Sequence, residues 1–420
     1  MAERLIRYEI AQGVATITLD SEHNRNALST PLMDQLLDSL AAAEAAEAVR
    51  VIVLDHTGPV FCSGADLKET AKAFETGQVP AARLVDVLAE LALARRVLGR
   101  PVPVETVFFG GGTPTLLPPD DLARILAGID DVFGLAPGAE VTTEANPESV
   151  SPQSLRALHR AGFTRISLGM QSASPGVLAL LDRKHTPGRA AAAVAEARDA
   201  GFAHVNLDLI YGTPGETAAD WAGSLAAVTA SGVDHVSAYA LIVEDGTRLA
   251  ARMRRGELPY PDDDVAADRY LAADRTFAEA GLTWYEVSNW AASAAARCRH
   301  NLLYWTGGDW WGLGPGAHSH VGGVRWWNVK HPTTYAARLA HHASPGHARE
   351  ILTETDRYTE DVMLRLRLAS GLPLTSLAPA AHPAAHQAAQ NGLLTQTAET
   401  LTLTRRGRLL ADAVIRDLLV

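Results

Sequence analysis

The sequence has 420 residues, of which 47% are hydrophobic and 20% charged, and these proportions exclude an intrinsically disordered chain. Its net charge of −11, without a run rich in Lys and Arg, argues against nonspecific binding to nucleic acids or membrane surfaces. No apolar run approaches the ~18 residues of a membrane span, and the N-terminus lacks a signal-peptide core. We therefore expect a cytoplasmic protein with two or three domains and no nucleic-acid partner.

The first 90 residues have the pattern of a small α/β unit. Apolar and polar residues alternate over residues 5–9 and 14–19, which predicts a β-hairpin. A helix is predicted from Ser29 or Thr30 to about Ala46. The apolar run over residues 51–54 predicts a short buried strand.

Three motifs of this unit resemble the N-terminal third of the crotonase (enoyl-CoA hydratase/isomerase) family. They lie at residues 13–19, 26–28 and 61–67, the last reading Phe-Cys-Ser-Gly-Ala-Asp-Leu. In that family the backbone N–H at the position of Ala65 is one of two donors in an oxyanion hole for a thioester enolate. The resemblance ends near residue 90, before the segment that supplies the second donor and the catalytic carboxylates. It therefore implies only half an oxyanion hole.

The next part of the chain alternates strand and helix patterns. A helix is predicted over residues 81–99, and strands are predicted at 104–109, 140–144, 165–169, 205–210, 235–241 and 284–287. Helical patterns separate the strands. Six parallel strands with helical crossovers predict an α/β fold, in the form of a (β/α) barrel or partial barrel.

Glycine or polar residues follow successive strands of this pattern. The first strand ends in Gly-Gly-Gly-Thr-Pro at residues 110–114, and later strands end near Glu144, Gln171, Asp208 and Ala240. The carboxyl ends of parallel strands share one edge of a sheet, and glycines there let the backbone approach a ligand closely. The pattern predicts a ligand site, although the glycines alone are equally typical of a tight turn without a ligand.

Residues from about 88 to 420 resemble the HemW heme-chaperone family, which is related to oxygen-independent coproporphyrinogen III oxidase within the radical SAM superfamily. The resemblance rests on motifs at residues 109–114, 144–147, 167–172, 206–209, 285–289 and 300–305. It implies that S-adenosylmethionine (SAM) lies across the strand ends. The implied SAM contacts are Gly111, Gly112, Thr113, Glu144, Gln171, Arg183, Asp208 and Ala240.

The same resemblance implies heme as a ligand and an unknown heme-acceptor protein as a partner. His300 and His318 are candidate heme ligands, because histidine binds heme iron and several tryptophans lie nearby in sequence. The alternative is that residues 300–327 form a packed aromatic cluster without a ligand. A homodimer is one oligomeric state that the sequence leaves open.

Cysteine content departs from the family pattern. Family members carry Cys-x-x-x-Cys-x-x-Cys before the glycine turn, and these thiolates hold a [4Fe–4S] cluster. This chain has only Cys62 and Cys298, so the ligands for that cluster are absent and we predict no metal site. We name no catalytic residue and expect no oxidase turnover. The alternatives are an inactive or mis-assembled fusion product, and a crotonase-type acyl-CoA enzyme or module.

The predicted domain organisation has three parts. Residues 1–90 form the crotonase-like fragment, and residues 91–350 form a radical SAM-type partial barrel that lacks its own first strand and carries a HemW-type extension. Residues 351–420 form a winged-helix-like module, with a helix over 358–368, a hairpin over 391–404 and a helix over 408–419.

Overall fold

A computed structural model describes residues 4–27, 29–46, 48–62, 82–183 and 185–419. The chain divides into two compact units, Met1–Ala81 and Ala82–Val420, and both are mixed α/β structures. In the part of the chain that is described, no helix is long and apolar enough to cross a membrane.

The first unit is a three-stranded sheet with one helix. Its described elements are β1 (Ile6–Ala11), β2 (Val14–Leu19), α1 (Thr30–Ala45) and β3 (Val51–His56). Strands β1 and β2 form an antiparallel hairpin, and β3 is parallel to β2. The predictions of a hairpin, a helix and a third strand are confirmed.

The prediction that residues 51–54 are buried is wrong. Their four apolar side chains are between 37% and 53% exposed. The packed core of this unit instead comes from β1, β2 and α1, with Ile17 and Leu32 fully buried. An apolar run shows that a strand is favoured, but which element covers it depends on packing partners that the run itself does not encode.

The second unit contains a curved seven-stranded sheet flanked by helices. In chain order its elements are α2 (Ala82–Leu98), β4 (Val104–Phe109), α3 (Pro119–Phe133), β5 (Leu135–Ala145), α4 (Pro152–Arg160), β6 (Arg165–Gln171), α5 (Pro175–Leu180), α6 (Arg189–Ala200), β7 (His204–Tyr211), α7 (Ala218–Ser231), β8 (His235–Ala240), α8 (Arg248–Arg254), α9 (Asp263–Glu279), β9 (Thr283–Glu286) and β10 (Asn289–Ala291). The strand order is β4-β5-β6-β7-β8-β10-β9.

Strands β4 to β8 pair with one another in parallel, as predicted. The prediction is wrong for the pairing of the sixth strand, β9, which does not pair in parallel with β8. Strand β10 lies between β8 and β9 and is antiparallel to both. Strand β10 has three residues, too few to show a periodicity. The sequence therefore predicts β9 but not β10.

The hydrophobic core lies between this sheet and its helices. Helix α3 buries Leu122, Leu126 and Ile129, which are spaced at helical intervals and form one face. Trp221 and Trp290 are fully buried, and the indole of Trp221 donates to the carbonyl of Arg269 at 2.9 Å. This packing fixes the strand ends where the candidate site lies.

Two smaller sheets complete the chain. The first contains β11 (His318–Val321), β12 (Val324–Asn328) and β13 (Gly346–Ile351), with α10 (Arg299–Trp305) before it and α11 (Pro332–Ala340) within it. The C-terminal part contains α12 (Glu354–Arg365), β14 (Leu372–Pro373), α13 (His382–Gln390), β15 (Leu394–Gln396), β16 (Thr400–Leu403), α14 (Arg405–Leu409) and α15 (Ala411–Leu418).

The C-terminal strands pair antiparallel in the order β14-β16-β15, which confirms the predicted hairpin. The last predicted helix is interrupted at Leu410, whose φ of −119° and ψ of 24° are not helical. The winged-helix interpretation stays a prediction.

Candidate functional site

The glycine turn after β4 packs against a carboxylate at the end of β5. Gly111 and Gly112 have φ values of 90° and 143°, which side-chain-bearing residues rarely adopt. Their backbone N–H groups act on the carboxylate of Glu144 and oppose the rise of its pKa. A Cβ atom on Gly110 would lie 3.2 Å from that carboxyl group. The three glycines therefore let the turn wrap around Glu144.

Glu144 has an unusual affinity for protons. Burial, and then the charge of Asp208, raises its pKa to about 7, while the two glycine N–H groups oppose the rise. Strand ends of β5 and β7 thus place two carboxyl groups within electrostatic range. Such a pair suits a ligand that carries hydroxyl groups or a positive charge.

We expect this pair to make stability depend on pH. The carboxyl of Glu144 takes up its proton near pH 7 when folded and near pH 4.5 when unfolded. Between these values the folded state holds more protons, so stability falls as pH rises from 4.5 to 7. We expect Glu144→Gln to reduce this fall in the free energy of unfolding by about 1–2 kcal/mol, because Glu144 is only partly buried.

Chemical denaturation of both proteins at pH 5 and pH 8 measures this difference. Burial also raises the pKa of Glu286 to about 7. Because Glu286 is present in both proteins, its contribution to the pH dependence cancels in the comparison. Equal pH dependence in the two proteins would contradict an elevated pKa at Glu144.

Asp208 is held by a polar ladder across β6, β7 and β8. Ser167 donates its hydroxyl to one carboxylate oxygen of Asp208 at 2.8 Å, and the amide of Asn206 donates to the other at 2.7 Å. The same amide also contacts Ser237 at 3.0 Å. Burial raises the pKa of Asp208 despite these donors.

The ladder continues to a neutral histidine. One ring nitrogen of His235 lies 2.7 Å from the Asn206 oxygen and the other 2.8 Å from the Tyr285 hydroxyl. Burial lowers the pKa of His235 to about 3, so one nitrogen donates to Asn206 and the other accepts from Tyr285. The Tyr285 oxygen in turn accepts the backbone N–H of Cys298 at 3.2 Å.

A buried ion pair forms the floor of the site. Arg165 donates to Glu140 at 3.1 Å, and the two side chains are 2% and 6% exposed. Glu140 also accepts the backbone N–H groups of Arg299 and His300 at 3.1 and 3.0 Å. The Cys298 thiol lies 3.5 Å from Glu140, and burial together with this charge raises its pKa to about 12. The pair therefore fixes the start of α10.

These groups surround a cavity of about 300 Å³ inside the curved sheet. It is lined by Phe108, Thr142, Glu144, Arg165, Ser167, Asn206, Asp208, His235, Ser237, Tyr239, Cys298 and Asn301. Of these, only Glu144 and Asp208 were singled out from the sequence as ligand contacts. Those on β6, β7 and β8 could have been found from the period-two alternation of polar residues along these strands. Phe108, Thr142, Cys298 and Asn301 lie on other elements.

Three further predicted SAM contacts lie at the same strand ends. Thr113 closes the glycine turn, and Ala240 ends β8, where it pairs with Tyr211. Gln171 ends β6 with a φ of 64°, at an irregularity in the pairing with β7. Arg183 is exposed in the turn after α5. Their roles stay predictions.

The two candidate heme ligands have different surroundings. The ring of His300 is 2.9 Å from the Thr106 hydroxyl and 2.8 Å from the Tyr304 hydroxyl, and burial lowers its pKa to about 4. His318 is exposed and stacks on Trp327 with ring centroids 5.7 Å apart.

The ring of His300 contacts Tyr304, which contacts Trp310, which contacts His320, at centroid distances of 4.9, 4.7 and 5.1 Å. The aromatic packing proposed as the alternative is therefore present around His300. This leaves the assignment of His300 and His318 as heme ligands a prediction.

The residues present do not fit a [4Fe–4S] cluster with three thiolates from one chain. The sequence supplies two cysteines, Cys62 and Cys298, and the second is a buried thiol beside Glu140. In the described ranges, no group of three or more His, Cys, Asp and Glu side chains is placed to hold a metal ion. Ala65, the candidate half of an oxyanion hole, lies outside the described residues.

Comparisons with known proteins match three parts of the chain. The profile of the radical SAM superfamily matches residues 60–228, and that of the HemN C-terminal domain matches residues 352–410. The enoyl-CoA hydratase/isomerase profile matches residues 9–95. The two N-terminal matches overlap over residues 60–95, so the radical SAM similarity begins upstream of residue 88.

Two proteins with similar sequences are both described as heme chaperones. The chain is 54% identical over 358 residues to the heme chaperone HemW of Mycobacterium tuberculosis, covering 85% of this chain and 91% of that protein. It is 34% identical over 291 residues to the heme chaperone HemW of Synechocystis, covering 68% and 70%. The fold resembles coproporphyrinogen III oxidase (HemN) from Escherichia coli, a radical SAM enzyme, with a TM-score of 0.69, 21% identity and 84% of each chain covered.

Proposed function

The chain belongs to the HemW heme-chaperone family of radical SAM-related proteins, and from this membership we propose that it binds heme and transfers it to an acceptor protein. The observation that carries the proposal is the 54% identity, which extends over 91% of a relative described as a heme chaperone. We place this activity in the cytoplasm.

Titration with ferric heme tests the proposal directly. Saturable growth of a Soret band at one heme per chain supports it, and the absence of a saturable component contradicts it. His300→Ala and His318→Ala tell the two candidate ligands apart, because loss of an axial ligand shifts the position of the band. His341→Ala is a matched control, since this histidine is exposed after α11 and was not a candidate ligand.

We further propose that SAM binds across the strand ends. Ribose hydroxyls are donors that suit the carboxylates of Glu144 and Asp208, and a methionyl carboxylate suits the guanidinium of Arg183. The Gly111–Gly112 turn brings backbone close to the ligand, and Thr113, Gln171 and Ala240 complete the rim. What supports this is the placement of the two carboxyl groups on the cavity and the glycine turn wrapped around Glu144.

We expect Asp208→Ala to weaken SAM binding about tenfold or more, because a hydrogen bond to a charged group is worth about 1.5–3 kcal/mol. Arg183→Ala should weaken it less, since the side chain is exposed. Calorimetry measures both, with Asp199→Ala on the exposed face of α6 as the control. An unchanged dissociation constant in Asp208→Ala would place SAM elsewhere.

The chain's residues do not support reductive cleavage of SAM, because they lack the thiolates for the family cluster. We expect Cys298→Ser to leave iron content unchanged after anaerobic reconstitution, because one buried thiol cannot hold a cluster. Iron and sulfide assays on wild type and variant measure this. Loss of bound iron in Cys298→Ser would reveal a ligand set outside the family pattern.

A second candidate function comes from the enoyl-CoA hydratase/isomerase match over residues 9–95. This segment would act as an acyl-CoA-binding module. Calorimetry with an acyl-CoA thioester tests it, and the absence of heat beyond dilution rejects it. An inactive fusion product would fail both this test and the heme titration.

A further inference from the structure

A second cavity lies where the C-terminal part of the chain meets the outside of the barrel, within one compact unit. It has a volume of about 340 Å³ and is lined by the C-terminal half of α9, the start of β9 and the short helix α14. It shares no lining residue with the cavity inside the curved sheet. Its charged lining residues are Asp274, Arg405 and Arg408, so two cations face one anion.

The carboxylate of Asp274 has no capacity for a further donor. Arg408 donates to its two oxygens at 3.1 and 3.0 Å, and the indole of Trp290 donates to one of them at 3.0 Å. The Nε atom of Arg405 lies 2.6 Å from the same carboxylate. These four donors match the roughly four lone-pair sites of a carboxylate. Although burial opposes the effect, the donors hold the pKa of Asp274 below its usual value, so it is charged at neutral pH.

The outer end of Arg405 is held in place but not used. Its side chain is 51% exposed, and neither its Nη1 nor its Nη2 atom bonds to any residue that the structure describes. Arg408 differs, because it is 11% exposed and its guanidinium is held by Asp274 and by the Tyr270 hydroxyl at 3.1 Å. Arg405 therefore presents an accessible pair of donors, in the fork geometry that matches a carboxylate or a phosphate group.

An aromatic wall stands beside this fork. The guanidinium carbon of Arg408 lies 4.4 Å from the ring centre of Trp284, a distance typical of a cation–π contact. The Trp284 N–H donates to the Val287 carbonyl at 3.2 Å, so the indole is fixed at both its face and its edge. The volume of the cavity is at the lower end of the range for ligand pockets, which favours a small ligand over a macrocycle.

We propose that this cavity, the junction site, binds a small molecule through an oxyanion, a phosphate or a carboxylate, held by the Nη fork of Arg405. The apolar part of the ligand lies against Trp284. The inference is independent of heme and SAM binding, because the junction site uses none of their candidate residues. A ligand here contacts α9, β9 and α14 together, so its binding stabilises the packing of the C-terminal part on the barrel.

Arg405→Ala tests the site, because it removes the fork and leaves the Arg408–Asp274 pair in place. The melting temperature of the full chain is measured against sodium phosphate, with sodium chloride keeping the ionic strength constant. Wild type should show a saturable rise, and Arg405→Ala should need about tenfold more phosphate or more for half of that rise.

Arg406→Ala is the matched control. It removes the same charge from the next position, where the side chain is exposed and does not line the cavity. This variant should respond to phosphate as wild type does. Phosphate also stabilises proteins generally by exclusion from their surfaces, which acts on all three proteins alike. An equal response of wild type, Arg405→Ala and Arg406→Ala would therefore overturn the proposal.

Two further probes define the ligand. Sodium acetate replaces phosphate in the same titration, and the anion with the lower half-saturating concentration in wild type is the group that the fork prefers. Phenyl phosphate should act at a lower concentration than inorganic phosphate, because its ring adds a contact with Trp284. If phenyl phosphate bound no more tightly, the contact with Trp284 would be wrong.

Hydrogen exchange locates the bound anion. In wild type, phosphate should slow amide exchange in α9, β9 and α14, and this protection should be missing in Arg405→Ala. Protection at the strand ends around the barrel cavity, with none in α14, would place the anion there and overturn the junction site.

Discussion

Glu140→Ala is expected to lower the free energy of unfolding by about 3–5 kcal/mol, because it leaves the guanidinium of Arg165 buried without its counter-charge. Both side chains are nearly inaccessible to solvent. The substitution also removes the acceptor for the backbone N–H groups of Arg299 and His300. Chemical denaturation of the full chain measures the change, provided that the transition of the second unit is resolved.

An exposed ion pair provides the control for this prediction. Asp245 lies 3.5 Å from Arg254, but its side chain is fully exposed. Asp245→Ala should change stability by less than about 1 kcal/mol. If Glu140→Ala cost no more than Asp245→Ala, the buried pair would contribute little, and α10 would be positioned by other contacts.

Glu90→Ala is the second substitution with a large expected effect. Glu90 lies on α2, is 1% exposed, and accepts hydrogen bonds from the Asn328 amide at 2.8 Å and the Gly314 N–H at 2.9 Å. The Tyr335 hydroxyl also donates to it. Alanine would remove an acceptor from three buried donor groups, at about 1–3 kcal/mol for each group left unsatisfied. The Asn328 amide keeps a second acceptor, the Gly314 carbonyl at 3.0 Å. We expect a total loss of about 3–4 kcal/mol, because part of the cost is relieved by relaxation.

Arg96→Ala on the exposed face of the same helix should change stability by no more than about 0.5 kcal/mol. Glu90→Gln should be intermediate, because the amide keeps one acceptor oxygen but replaces the other with a donor. Thermal unfolding of the three variants measures this order of stability. If Glu90→Gln lost as little stability as Arg96→Ala, the number of hydrogen-bond acceptors at this site would be unimportant.

The sequence predicted features that depend on residues close together in the chain. The strands β4 to β8 lie where their apolar runs predicted, and the glycine turn at residues 110–112 does have the positive φ angles that favour glycine. The carboxyl groups of Glu144 and Asp208 do come together at one edge of the sheet, because parallel strands share their direction.

The parts that could not be predicted depend on contacts between distant segments. Glu140 contacts residues about 160 positions later, and Glu90 contacts residues more than 220 positions later. No alternation or spacing encodes such pairings. Similarly, Arg405 was not singled out as a ligand contact, since the cavity that it lines exists only when α14 is placed beside α9 and β9.

The anchoring of Glu90 by Asn328, Gly314 and Tyr335 has a practical consequence for shortening the chain. A protease or a cloning boundary that separates the two units should leave the second intact only if it acts before Ala82, where the compact unit begins. A cut after Glu90, at the boundary suggested by the family resemblances, would keep three donors and discard their common acceptor. The fragment starting at residue 82 should therefore express as a folded protein, whereas one starting at residue 91 should be a target for degradation.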